Sequence, residues 1–226
     1  MPNSPAPEAV LFDLDGTLID TFHLYLEAYR RALAPYLGRR PDLNDFIARR
    51  PSAERAFLAE WIGAEHAEAC HATMCGHYVD LFPTLSGGVY EGVPEMLAAL
   101  RSAGYPLGIV TGKGRTLWEI TRAAVPLGEF AVVVTEDDVP HAKPDPAGLL
   151  LAARRLGVPP EAAFYIGDTL SDLEAGRRAG MRTGAALWPK TGLGEKEQFL
   201  EALQPPRPDW IFERPADVTR ALAGWC

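Results

Sequence analysis

Residues 9–17 read Ala9-Val10-Leu11-Phe12-Asp13-Leu14-Asp15-Gly16-Thr17, and this stretch decides the fold. Its first four residues form a short apolar run, which reads as a buried strand. Two carboxylates, two positions apart, stand where that strand should stop. Side chains at i and i+2 of an extended chain project to the same side, so Asp13 and Asp15 share one face. Two like charges repel, and burying them is costly unless a cation or a proton sits between them. A strand end carrying such a pair reads as a cation-assisted reaction site.

Working outward, the chain alternates strand-like and helix-like segments from about Gly92 onward. Strands are expected at Leu107–Val110, Ala131–Val134, Ala163–Ile166, Thr183–Leu187 and Trp210–Phe212. Helices are expected at Pro94–Ala103, Arg115–Val125, Pro146–Leu156 and Asp172–Ala179, with Gly104, Gly157 and Gly180 closing three of them. This alternation implies an α/β fold, a doubly wound parallel Rossmann-like sheet with helices on both faces. Residues 21–85 break the pattern. Phe22–Leu37, Ser52–Ile62 and Glu65–Leu81 read as helices, with Thr21 as a possible N-cap and Gly38 as a stop. The expectation is an all-helical cap at 21–85, inserted into a core of 1–20 and 86–226. Its hinges fall near Asp20-Thr21 and Ser86-Gly87-Gly88.

Bulk composition narrows the function. The 226 residues carry 47% hydrophobic side chains and a formal net charge of −8. That is enough apolar content for a core and argues against disorder. No basic patch is visible in the linear sequence, so nucleic-acid binding is not expected. Three cysteines, Cys70, Cys75 and Cys226, form no disulfide framework. No apolar run reaches the roughly 20 residues of a membrane helix, and the first residues lack a signal pattern. A soluble, cytoplasmic protein is the expectation, with no membrane partner and an unassigned oligomeric state.

Further chemistry falls at the ends of the expected strands, where open parallel sheets bind ligands. Thr111-Gly112-Lys113-Gly114 offers a hydroxyl and small residues ahead of a helix N-terminus, suited to a phosphate. Lys143 precedes Pro144-Asp145-Pro146 and can act as a point charge on a phosphate. Gly167-Asp168-Thr169-Leu170-Ser171-Asp172 supplies two more carboxylates. Asp168 is a candidate metal ligand; Asp172 is a further ligand, an orienting group or a plain helix cap. Hard oxygen donors favour Mg²⁺ over zinc.

Asp-x-Asp-Gly-Thr at 13–17, Thr111, Lys143 and Gly-Asp-x₃-Asp at 167–172 together resemble the haloacid dehalogenase-like hydrolases, in particular their helical-capped, phosphoglycolate phosphatase-like branch. The resemblance spans nearly the whole chain and implies a Mg²⁺-dependent phosphatase acting on a small phosphorylated metabolite. It implies Asp13 as the nucleophile that forms an aspartyl-phosphate and Asp15 as the acid, then the base. Mg²⁺ would be held by Asp13, the Asp15 carbonyl and Asp168, with Asp172 in support. Thr111, Gly112 and Lys143 would hold the phosphoryl oxygens. Asp15 argues against the dehalogenases, which lack a second Asp. Tyr25 stands near the place where β-phosphoglucomutase-like members carry a His, which makes a phosphomutase the weaker alternative. A non-catalytic binding module on the same fold is a third reading.

Other residues read more plainly. Lys113 is expected as an exposed loop residue with a weak claim on substrate. Arg49 and Arg50 could reach an anionic leaving group, but an ordinary exposed pair is slightly favoured. His66, Cys70, His71, Cys75 and His77 invite a zinc reading. The pairs 66/70 and 71/75 each share a helix face but sit about 140° apart around the helix. Cys70, Met74, Tyr78 and Leu81 also form an apolar stripe, so core packing is the better account.

Overall fold

The computed structural model describes residues 6–49, 53–203 and 205–223. Strand β1 (Ala9–Phe12) and the two-residue β2 (Ile19–Asp20) lead into four helices: α1 (Phe22–Leu37), α2 (Leu43–Arg49), α3 (Glu54–Ile62) and α4 (Ala64–Leu85). Strand β3 (Gly88–Val89) follows, then α5 (Val93–Ser102), β4 (Leu107–Val110), α6 (Arg115–Ala124), β5 (Val132–Val134) and α7 (Ala147–Leu156). The chain ends with β6 (Ala163–Gly167), α8 (Leu170–Arg178), β7 (Arg182–Ala186), α9 (Glu195–Ala202), β8 (Trp210–Phe212) and α10 (Pro215–Ala223).

Six strands form one parallel sheet in the order β5-β4-β1-β6-β7-β8. Strand β1 is therefore central, and the winding reverses beside it, which makes its carboxyl end the expected ligand crevice. Every residue of β1 is fully buried. Val10 and Phe12 pack with α5 and α10, while Leu11 packs with α7 and α8 on the opposite face. This is why β1 reads as a continuous apolar run and not an alternating one. Phe12 is level with Ile109 of β4 and Ile166 of β6. Asp13, Thr111 and Asp168 consequently leave the same edge of the sheet.

Helices α1 to α4 form their own apolar cluster, built from Leu24, Ala28, Tyr29, Ala32, Phe57, Cys70, Met74 and Tyr78. The stripe read from Cys70 to Leu81 is buried throughout. Gly38 closes α1 in the left-handed conformation at φ 66. Three elements go beyond the sequence reading. The segments read as hinges pair with each other as β2 and β3, Ile19 with Val89 and Asp20 with Gly88. Helix α2 was not anticipated. Asp42 and Asp45 cap it reciprocally, each side chain accepting the other's backbone N–H at 3.0 and 2.9 Å. The helix expected from Ser52 begins at Glu54, Ser52 itself lying outside the described residues. No helix among the described residues is long and apolar enough to cross a membrane.

Candidate active site

Asp13 follows β1, and its N–H continues the ladder to the Ile166 carbonyl at 2.9 Å. Its carboxylate accepts from Lys143 Nζ at 2.6 Å. The same ammonium donates to Asp172 Oδ1 at 2.6 Å and to the Tyr165 hydroxyl at 3.0 Å. Lys143 thus bridges two buried carboxylates from opposite ends of the chain. Burial pushes Asp13 well above its ordinary value, the charges of Asp172 and Asp168 add to this, and Lys143 opposes it. Asp172 responds the other way. Burial works against its charged form, but Lys143 and hydrogen bonds from Thr169 and Tyr165 hold it below the usual carboxylate range. Asp172 also closes a capping box with Thr169 at the start of α8, through its other oxygen. The capping role and the Lys143 contact therefore coexist on one side chain.

Asp168 lies beside this pair. Its oxygens accept from Thr17 Oγ1 at 3.1 Å and from Lys190 Nζ at 3.4 Å. Burial is the largest effect on it and raises it, Lys190 notwithstanding. Gly16 makes this approach possible. Its φ is +83, and a Cβ there would lie 2.8 Å from Asp168 Oδ1. Only a residue without a side chain meets both demands.

Asp15 accepts at Oδ1 from Thr21 Oγ1 at 2.6 Å, and Lys113 Nζ pairs with the same oxygen at 2.9 Å. This corrects two expectations. Thr21 makes no side-chain cap to α1, because its hydroxyl turns to Asp15. Lys113 is not an exposed loop residue; its side chain is 0% exposed. Burial alone would lower the Lys113 ammonium, but Asp15 and Tyr78 hold it above its ordinary value. Helix α6 starts after Gly114, and Thr111 Oγ1 accepts the Lys113 N–H at 3.1 Å.

A cavity of about 390 Å³ opens between this edge and the helical layer. Asp13, Asp15, Thr111, Gly112, Lys143, Asp168 and Asp172 all line it. Its far wall is Phe22, Tyr25, Leu26, Tyr29, Leu43 and Phe46, with Glu54 beneath. Tyr25 donates its hydroxyl to Glu54 at 2.6 Å. Arg49 is exposed, with its guanidinium 4.0 Å above the Trp61 ring, and it does not line the cavity. Arg50 lies outside the described residues.

The carboxylates of Asp13, Asp168 and Asp172 lie close enough to share one metal ion. Four buried or half-buried carboxylates here face the ammonium groups of Lys113, Lys143 and Lys190. Negative charge is in excess even before an anionic substrate arrives, so this all-oxygen donor set fits a hard divalent cation. A second group, Glu54, His71 and Cys75, also converges. His71 Nε2 sits 2.8 Å from Glu54, whereas Cys75 Sγ is 3.6 Å away. Burial would lower His71, but Cys75 and Glu54 lift it to about 10. A buried, charged His71–Glu54 pair accounts for this group without a metal. His66 is exposed and Cys70 points to the Ala32 carbonyl, so the wider His/Cys cluster does not converge.

That pair has a pH signature. The folded value of His71 is raised, so its stabilisation is complete below the unfolded value near 6.5 and is lost as pH rises through about 10. The stability gap between the native chain and His71→Gln should be widest below about pH 6.5 and shrink steadily toward pH 10. Urea melts at a series of pH values measure it. A gap that widens with pH contradicts a charged pair.

Sequence reasoning missed Lys190 and the burial of Lys113. Lys190 follows β7 by a few residues, and the rule that ligand groups gather at strand ends would have flagged it.

The comparisons with known proteins agree with this geometry. The sequence model of the haloacid dehalogenase-like hydrolase family matches residues 7–180. Pyrophosphatase PpaX of Bacillus velezensis is 35% identical over 221 residues, covering 93% of this chain and 94% of its own. Among solved structures, a proposed phosphoglycolate phosphatase from Lactobacillus plantarum superposes with a TM-score of 0.80 at 27% identity, covering 95% of this chain and 99% of that one. CbbY from Rhodobacter sphaeroides, solved in complex with phosphate, gives 0.79 at 25% identity over 94% and 96% of the two chains. With strand order, edge carboxylates and sequence similarity in agreement along most of its length, the chain belongs to the haloacid dehalogenase-like hydrolases.

Proposed function

We propose that the protein is a Mg²⁺-dependent phosphatase that hydrolyses a small phosphorylated metabolite through an aspartyl-phosphate on Asp13. The observation that carries this reading is the Lys143 bridge between Asp13 and Asp172, in a cavity that Asp15 also lines. A carboxylate attacks a dianion slowly, so cancelling charge is the main task of the site.

In the first step an Asp13 oxygen bonds to phosphorus while the bond from phosphorus to the leaving oxygen breaks, and Asp15 gives that oxygen a proton. In the second, Asp15 takes a proton from water as the water oxygen bonds to phosphorus, and the Asp13–phosphorus bond breaks. Thr111, the Gly112 N–H and Lys143 hold the phosphoryl oxygens. Asp13, the Asp15 carbonyl and Asp168 would hold Mg²⁺, with Asp172 in support. When bound, the cation supplies positive charge against the developing phosphoryl charge. Residues 21–85 act as a cap on hinges at β2 and β3, excluding bulk water from the intermediate.

Tyr25 supports hydrolysis over mutase chemistry. Its hydroxyl is committed to Glu54, and it stands near the place where a mutase carries a His. Asp15 weighs against a pure binding module, which has no use for a second acid. The names of the relatives put pyrophosphate and phosphoglycolate at the head of a substrate panel, followed by sugar phosphates and nucleotides. The expected result is phosphate release that ceases with chelator and returns with added Mg²⁺. Absence of Mg²⁺-dependent turnover across the panel contradicts the reading. Return of the phosphoryl group to a sugar, without phosphate release, favours the mutase.

A further inference from the structure

We infer that Lys113 is a positioning residue that holds Asp15 in its working orientation through contacts made by the helical layer, an inference that rests on the phosphatase reading above. Lys113 Nζ is fully enclosed and has three polar neighbours. It lies 2.9 Å from Asp15 Oδ1, donates to the Tyr78 hydroxyl at 2.7 Å and donates to Thr121 Oγ1 at 3.1 Å. The Tyr25 and Tyr78 rings flank it, with centroids at 5.1 and 4.8 Å. Asp15 and Thr121 belong to the sheet and its helices. Tyr25 on α1 and Tyr78 on α4 belong to the helical layer.

The consequence lies in Asp15. Lys113 and Thr21 both engage Oδ1, so that oxygen is fixed and the carboxylate plane with it. Asp15 also lines the cavity, and its Oδ2 has no partner among the described residues, which leaves that oxygen to serve a ligand. A buried ammonium without partners is costly. Lys113 therefore keeps this position only while Tyr78 closes over it. The orientation of the acid is tied to the seating of the helices.

Two variants test this. Lys113→Met removes the charge at similar length, and Tyr78→Phe removes one hydroxyl while keeping the ring and the fold. An alkyl phosphate needs its leaving oxygen protonated; p-nitrophenyl phosphate does not. For Lys113→Met, kcat on the alkyl ester should fall about 100-fold, the scale of general acid–base catalysis, with KM changed less than about twofold. On p-nitrophenyl phosphate the first turnover should stay within about threefold of native, followed by a steady state about 100-fold slower, because only the second step still needs Asp15. Tyr78→Phe should repeat the pattern at about a tenth of its size. Equal losses on both esters and in both phases mark a merely structural role and overturn the proposal, as does an unchanged kcat. If the native protein turns over neither ester nor any member of the substrate panel, the phosphatase reading itself fails, and this role for Lys113 with it.

Discussion

Asp13→Asn should keep the fold and lose at least about 10⁴-fold in turnover, the scale seen when a catalytic nucleophile is removed. Two effects of the amide combine. The amide keeps the shape of the carboxylate but offers no anion to attack phosphorus. It also relieves the site. Asp13 is held well above its ordinary value by burial and by the charges of Asp172 and Asp168, so its ionised form opposes folding at neutral pH. Removing that charge leaves Lys143 paired with Asp172. The melting temperature should therefore stay level or rise while activity collapses, the trade-off expected of a group held in a strained charge state for function. Phosphate-release assays and thermal melts on one preparation read both quantities.

Lys143→Met should act in the opposite sense on stability. It leaves Asp13 and Asp172 buried at one sheet edge without their shared cation. Removing one partner of a buried ion pair costs about 3–5 kcal/mol, which for a chain of this size is a fall of roughly 10 °C or more in melting temperature. Turnover should fall by about 10³-fold or more, since the proposed mechanism sets this charge on the phosphoryl oxygens. Acid sensitivity should change as well. Asp172 is held below its ordinary value, so it contributes stability that is complete above about pH 4 and is lost as pH falls through its lower folded value. Without Lys143 that contribution should disappear. Adding Asp13→Asn to Lys143→Met should recover part of the lost stability, because the two residues share one contact and their effects do not add. A double variant as unstable as Lys143→Met alone would show that the crowding of charge has been misjudged.

The parts of the fold legible in the sequence are those with enough residues to show a period or a run. Strand β1 is buried on both faces, so its four apolar residues in succession are visible, and so are those of β4. Helix α1 carries its own stop signal in Gly38. The two-residue strands β2 and β3 carry no period at all; their pairing follows from where the helical layer leaves and rejoins the core. Helix α2 is seven residues long, and its signal was the Asp42–Asp45 pair three apart. In the site, Asp13, Thr111, Lys143 and Asp168 were readable because each follows a strand. Lys113 was not. Its burial is decided by Tyr25 and Tyr78, distant residues on helices whose packing no local pattern reports. Thr21 was misread for a related reason. Its position suits a cap, but a carboxylate 2.6 Å away competes for the hydroxyl and wins.

The central claim is that Asp13 becomes covalently phosphorylated. Acid-quenching the enzyme during turnover of a phosphate ester and mapping peptides by mass spectrometry tests it directly. One phosphoryl group should appear on the peptide holding Asp13, labile to hydroxylamine as an acyl phosphate is, and it should be absent from Asp13→Asn. Phosphate released at full rate with no label at Asp13, or label retained in Asp13→Asn, would contradict the account.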